Sequence, residues 1–142
     1  MLEKSRIHIK MTRLFIPVLT LFTYLMPFSY MQGDIVDNLP TLFKAGNSKE
    51  LAKNFSSSVE LSILGEEDVY SKAQAEQILR DFFTKHDPSN ATVLHVIDTN
   101  PNYRFNILSL ITKNGKFRVS VTLRKSNSAF FITELRIEPD KS

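Results

Sequence analysis

Apolar residues recur along this chain with two different periods, and each change of period marks an element. Ile35, Val36, Leu39, Leu42 and Phe43 follow helical spacing. Pro40 falls inside that pattern, where it either kinks the helix or opens a new turn after Leu39. Gly46 sits where a residue just past a helix C-terminus should. Asn47 or Ser48 then caps a short second helix, with Glu50 placed to close a capping box and Leu51, Ala52 and Phe55 on the apolar edge. The clearest helix follows Ser71, which forms a capping-box sequence with Gln74. Ala75, Ile78, Leu79, Phe82 and Phe83 make one apolar stripe on it, and Pro88 ends it.

Elsewhere the period is two. In the segment from Ser57 to Leu64, Val59, Leu61 and Ile63 alternate with Glu60 and Ser62, which predicts a strand with one buried face. Gly65-Glu66-Glu67-Asp68 reads as a polar loop, and Val69 and Tyr70 lead from it into the helix. Strands follow over Thr92 to Asp98 and Tyr103 to Thr112. Asn114-Gly115 is a strong hairpin signal, because both residues accept positive φ. Phe117, Val119, Val121 and Leu123 mark one face of the next strand, and Arg118, Ser120, Thr122 and Arg124 the other. Ser126-Asn127-Ser128 turns the chain into a last strand from Phe130, with Phe131, Leu135 and Ile137 expected inside. Helices, strand, helix and four strands predict an α+β fold with helices packed on one face of an antiparallel sheet.

The pattern at the N-terminus is different. Arg13 precedes an almost uninterrupted apolar run from Leu14 to Met26, and Pro27, Ser29 and Gly33 follow. Lys4, Arg6 and Lys10 add basic charge if translation starts at Met1, and Met11 is an alternative start. A basic end, an apolar core and small residues are the parts of a secretory signal. A membrane-spanning helix wants about 20 apolar residues, and Pro17 and Pro27 interrupt this run. Residues 1–32 are therefore expected to be a cleaved signal and residues 33–142 one exported domain, periplasmic or secreted, with no membrane contact after cleavage. Residues 1–32 hold four of the chain's 18 basic residues and one of its 15 acidic ones, so fourteen of each remain and the domain is formally neutral. Nucleic-acid binding, which needs a surplus of Lys and Arg, is not expected, although Lys113, Lys116, Arg118, Arg124 and Lys125 mark a local basic stripe. There is no cysteine, so the exported domain must be held by its core alone, without disulfides, thiolate metal sites or a lipid-modified cysteine.

Several stretches narrow the comparison. Gly46 to Ala52 before Phe55, Val59-Glu60-Leu61, Tyr70 to Ala75, Asp81-Phe82-Phe83, Asn114 to Val119, and Leu135 to Glu138 together resemble the domain-of-unknown-function family 4783. That family belongs to the nuclear transport factor 2-like, or cystatin-like, superfamily. The resemblance covers roughly Gly33 to Glu138 and implies a curved, cone-shaped sheet wrapped around helices, in an exported protein. Leu108 stands where the family pattern suggests glycine, a change that alters sheet curvature or fills the cone. The family transfers no catalytic residue.

The remaining chemistry is sparse. His86 lies at a helix C-terminus, where the dipole favours a cation. His95 alternates with Val93 and Ile97 on a strand and enters the cone if that face is the inner one. Two histidines without close spacing do not make a zinc site. Asp98 to Asn102 begins like a calcium loop but has Tyr103 at the glycine position and Ser109 at the closing glutamate position. Glu66-Glu67-Asp68 has no metal-ligand pattern around it, and no phosphate or dinucleotide motif is present. No metal and no cofactor are expected. Tyr70, His95, Tyr103 and Leu108 are the candidate pocket residues, and Leu94, Val96, Leu110, Phe130 and Ile132, with Leu108, are candidates for an apolar outer sheet face that would dock a second copy or a protein partner. These features predict a non-catalytic binding or assembly module. The alternatives are a carrier of a small apolar ligand in the cone, and a cofactor-free isomerase, dehydratase or hydrolase whose base is Tyr70, His95 or Asp98.

Overall fold

The structure is a computed structural model and describes residues 34–142; the export signal expected over residues 1–32 lies outside them. The elements run α1 (Ile35–Lys44), α2 (Ser48–Lys53), β1 (Phe55–Ile63), β2 (Glu66–Ser71), α3 (Lys72–Lys85), β3 (Pro88–Asn100), β4 (Tyr103–Thr112), β5 (Gly115–Ser126) and β6 (Ala129–Pro139). Among the described residues, no helix is long and apolar enough to cross a membrane.

Local chemistry sets the helix ends. Asp34 caps α1 by accepting from the Val36 N–H at 3.2 Å. Pro40 stays inside α1 and costs it one backbone bond. Two bonds close its end: Gly46 N–H to the Phe43 carbonyl at 3.1 Å, and Asn47 N–H to the Leu42 carbonyl at 3.0 Å. Gly46 has φ +61°, the left-handed region that favours glycine, and a Cβ there would touch the Phe83 and Pro88 side chains at 3.4 Å. Asn47, not Ser48, caps α2 through the Glu50 N–H at 3.1 Å. The Glu50 carboxylate then meets Lys53 Nζ at 2.6 Å instead of closing the box. At α3 the box is complete: Gln74 N–H reaches Ser71 Oγ at 3.3 Å, and Ser71 N–H reaches Gln74 Oε1 at 3.1 Å.

The strands form one sheet in the order β2-β1-β6-β5-β4-β3. Every neighbouring pair is antiparallel except β1 and β6, which run parallel. The helices share a core with the concave face. Leu39 and Phe43 of α1, Leu51 of α2, and Ala75, Leu79, Phe82 and Phe83 of α3 pack with Leu61, Val119, Val121 and Leu135 of the sheet.

Four sequence expectations are corrected. The acidic segment is strand β2: Leu64 and Gly65, with φ of +51° and +90°, make the turn, and Glu66, Glu67 and Asp68 pair with Ile63, Ser62 and Leu61. Acids are tolerated there because β2 is an edge strand. At the β4–β5 hairpin, Thr112 pairs with Gly115, so Lys113 and Asn114 make the turn and only Gly115 has positive φ. In β6, Thr122 and Leu123 pair with Glu134 and Ile132, leaving Thr133 as a bulge. The extra residue reverses the alternation, which puts Ile132 inside and Phe131 opposite the outward Arg124. Finally, β3 carries a bulge between Val93 and His95, so Val93 and Val96 share the concave side with Leu108 and Asn106, while His95 joins Ile107 on the convex side.

The six-residue outer patch therefore does not form. Leu108, Leu110 and Ile132 are fully buried in the core, and Phe130 is half-buried against it. Only Leu94 and Val96 are exposed, on the sheet's edge strand.

One ion pair anchors α1 to the sheet. Asp34 binds the Arg104 guanidinium, which lies 4.2 Å above the Phe130 ring. Burial works against the Asp34 charge, but the bonds from Arg104 and the Val36 N–H outweigh it and hold the carboxyl below its ordinary range. A lowered folded value means the pairing stabilises above the unfolded carboxylate range and is lost as pH falls through the folded value. Asp34→Asn is expected to cost about 0.2–1 kcal/mol in urea unfolding at neutral pH, with the difference from wild type vanishing in acid. A difference that persists in acid would show that the charge is not responsible.

Candidate functional site

α3 presents two adjoining edges. One is the stripe of Ala75, Leu79, Phe82 and Phe83 that enters the core. The other is Ile78, Asp81, Phe82 and Lys85, which recur at helical spacing and hang over the concave face of the β1–β2 hairpin. Leu61 and Ile63 of β1 and Glu66 and Tyr70 of β2 rise from that face, and Leu64 comes from the turn. Helix and hairpin do not close on each other. A pocket of about 410 Å³ remains between them, and His86 completes its lining just past the end of α3.

The floor is apolar: Leu61, Ile63, Ile78 and Phe82. The rim is polar and of both signs, with Lys85 and His86 set against Asp81 and Glu66, and with the Tyr70 phenol. Asp81 accepts a bond from Gln77 Nε2 at 3.2 Å. His86 is the most constrained member. Its backbone N–H donates to the Phe82 carbonyl at 2.8 Å. Its ring packs against Phe82 and Phe117, with centroids 4.8 and 4.9 Å away. Its Nδ1 lies 3.0 Å from Asn114 Oδ1, and Asn114 Nδ2 donates to the Lys85 carbonyl at 2.9 Å. Asn114 thus clamps the C-terminus of α3 from the β4–β5 turn. Its side chain, rather than its tolerance of positive φ, is what the fold uses.

Of the candidate pocket residues, Tyr70 lines this pocket and the others do not. His95 is exposed on the convex side. Tyr103 is half-buried, with the Arg124 guanidinium 5.6 Å from its ring. Leu108 fills the core. β2 and β3 are the two edges of a six-stranded sheet. Tyr70 lines the pocket from one edge, while His95 and Asp98 are exposed on the other edge strand, so the three candidate bases line no common pocket. Asp81, Lys85 and His86 are the residues that sequence reasoning missed. The signal available was the i, i+3, i+4, i+7 repeat of Ile78, Asp81, Phe82 and Lys85 beside the core stripe.

On the concave side Leu108, Leu110 and Ile132 are fully buried in the core. The one discordant group is Asn106, 1% exposed, whose side-chain amide has no partner among the described residues. Among the described residues, no three His, Cys, Asp or Glu side chains cluster as metal ligands. Two of the five residues of the basic stripe are ion-paired: Lys113 with Asp87 at 2.9 Å and Lys116 with Asp140 at 3.1 Å. On the convex face Arg136 bridges Glu67 at 3.1 Å and Glu138 at 3.4 Å.

A curved, unclosed sheet wrapped around helices defines the nuclear transport factor 2-like, or cystatin-like, class. A domain with a cystatin-like fold from Nostoc punctiforme matches at a TM-score of 0.61 with 11% identity, over 75% of this chain and 74% of its own; it supports the fold alone. Within that class the chain belongs to the family described as Domain of unknown function (DUF4783), whose profile matches residues 36–138. A family member from Bacteroides uniformis is 30% identical with a TM-score of 0.73, over 77% of this chain and all of its own. Another from Bacteroides ovatus is 32% identical with a TM-score of 0.70, over 74% of this chain and 94% of its own. No functionally curated protein matches the chain.

Proposed function

We propose that this protein is an exported, non-catalytic binding module that takes a small ligand with an apolar body between α3 and the β1–β2 hairpin. The observation that carries this reading is the pocket of about 410 Å³, with an apolar floor and a few polar groups at its rim. That volume lies within the roughly 300–1,000 Å³ common for ligand pockets, and the lining is about as polar as it is apolar. The separation of Tyr70 from His95 and Asp98 supports binding over catalysis. Export rests on the basic and apolar pattern of residues 1–32.

Ile78→Trp adds bulk at the pocket wall. Fragments that bind the wild type in ligand-observed NMR are expected to lose their signals in this variant, with little change in Tm. The same set of binders in both proteins would place the site elsewhere. For export, the native sequence expressed in a Gram-negative host is expected to yield extracytoplasmic protein whose intact mass starts between residues 30 and 33. Full-length mass in the cytoplasmic fraction would end that part of the reading.

A second reading, assembly through the β3 edge, is favoured by four exposed apolar side chains within five residues: Val93, Leu94, Val96 and Ile97, from 37% to 54% exposed. No Asp, Glu, Lys or Arg lies between Pro88 and Ile97, whereas the opposite edge carries the acids of β2. On that reading light scattering finds a dimer that Leu94→Lys converts to a monomer. A wild type that is monomeric throughout would rule it out.

A further inference from the structure

We infer that the pocket selects a neutral amphiphile whose head donates a hydrogen bond to Nε2 of His86, a phenol or alcohol carried on an apolar body. This rests on the pocket being the binding site, as proposed above.

The argument begins at Asn114. The side-chain atom 2.9 Å from the Lys85 carbonyl must be the amide nitrogen, because two oxygens would repel there. That orientation places Oδ1, an acceptor, 3.0 Å from His86 Nδ1. Nδ1 must therefore carry a hydrogen in both the neutral and the charged ring. In the neutral ring Nε2 is a bare acceptor. Among the described residues it has no hydrogen-bond partner. Packing against Phe82 and Phe117 keeps the ring in place in the pocket wall.

The surroundings decide which head group suits that acceptor. Asp81 from α3 and Glu66 from the hairpin bring negative charge to the rim, and the α3 carbonyls end beside His86. Lys85 supplies one positive charge against these, and Tyr70 and Asn114 are uncharged. An anionic head meets more repulsion than attraction. A neutral donor meets none and satisfies Nε2. Leu61, Ile63, Ile78 and Phe82 receive the apolar body.

Titrations of the nitrogen-15-labelled protein with para-propylphenol, propylbenzene and para-propylbenzoate test this. The phenol is expected to bind about tenfold more tightly than either of the others at a mildly alkaline pH where the ring nitrogen shifts show His86 neutral, the usual scale for one hydrogen bond to a site that otherwise goes unsatisfied. His86→Phe keeps the ring packing, so propylbenzene binding should survive while the phenol's advantage disappears. The neutral ring should show the Nδ1–H tautomer. Equal binding of phenol and propylbenzene, tighter binding of the benzoate, or an Nε2–H tautomer overturns the inference and leaves the pocket a binding site. If none of the three probes perturbs Ile78, Phe82 or His86, the pocket reading falls with it.

Discussion

A chain of edge-to-face aromatic contacts ties together the three parts of this fold. Phe43 of α1 meets Phe83 of α3 with centroids 6.2 Å apart, Phe83 is 5.7 Å from Phe82, and Phe82 is 5.2 Å from Phe117 on β5. Such pairs add roughly 0.5–1.5 kcal/mol each beyond the area they bury. With no cysteine available for a disulfide, burial of this kind must offset the chain entropy. It also fixes the rotation of α3 about its own axis.

That rotation creates the site. Once Phe82 and Phe83 point into the core, helical geometry puts Ile78, Asp81 and Lys85 over the β1–β2 hairpin. β2 is a six-residue edge strand whose outermost residues are acidic and exposed, so it offers too little apolar surface for α3 to seal against. The pocket is the space left over. His86 belongs both to the aromatic chain, through Phe82 and Phe117, and to the pocket wall, so the interaction that holds the helix also fixes the orientation of the His86 ring.

The helices were legible because their signals are local. Ser71 and Gln74 close their box within one turn, and Gly46 answers to a positive φ within its own residue. The failures on the sheet share one cause. A strand's faces follow from alternation only while the pairing stays in register, and one unpaired residue inverts everything beyond it. Leu94 and Thr133 are such residues. The neighbours that make them bulges, Ile107 to Leu108 on β4 and Thr122 to Leu123 on β5, lie on other strands. The outer face expected for Leu94, Val96, Phe130 and Ile132 was an alternation carried across both, whereas Leu108 and Leu110 are buried because they pair in register with the inward Val119 and Phe117. The acids of β2 misled for a related reason, since a charged strand at a sheet edge and a solvated loop have the same composition.

By itself the sequence determined the class of fold, the three helices, the capping box of α3, five of the six strands in chain order and the apolar face of β5, because each depends on contacts within a few residues or on the sum of apolar spacing. It also supplied the family, through short stretches such as Tyr70 to Ala75 and Asn114 to Val119. Tertiary structure alone decided which strand residues face inward, that β1 runs parallel to β6, and that the site lies beside α3 rather than in the cone. His86 and Asn114 are 28 residues apart, and nothing in either residue's neighbourhood announces the other. The chemistry of the pocket is a property of their meeting, which only the packing of α3 against the β4–β5 turn brings about.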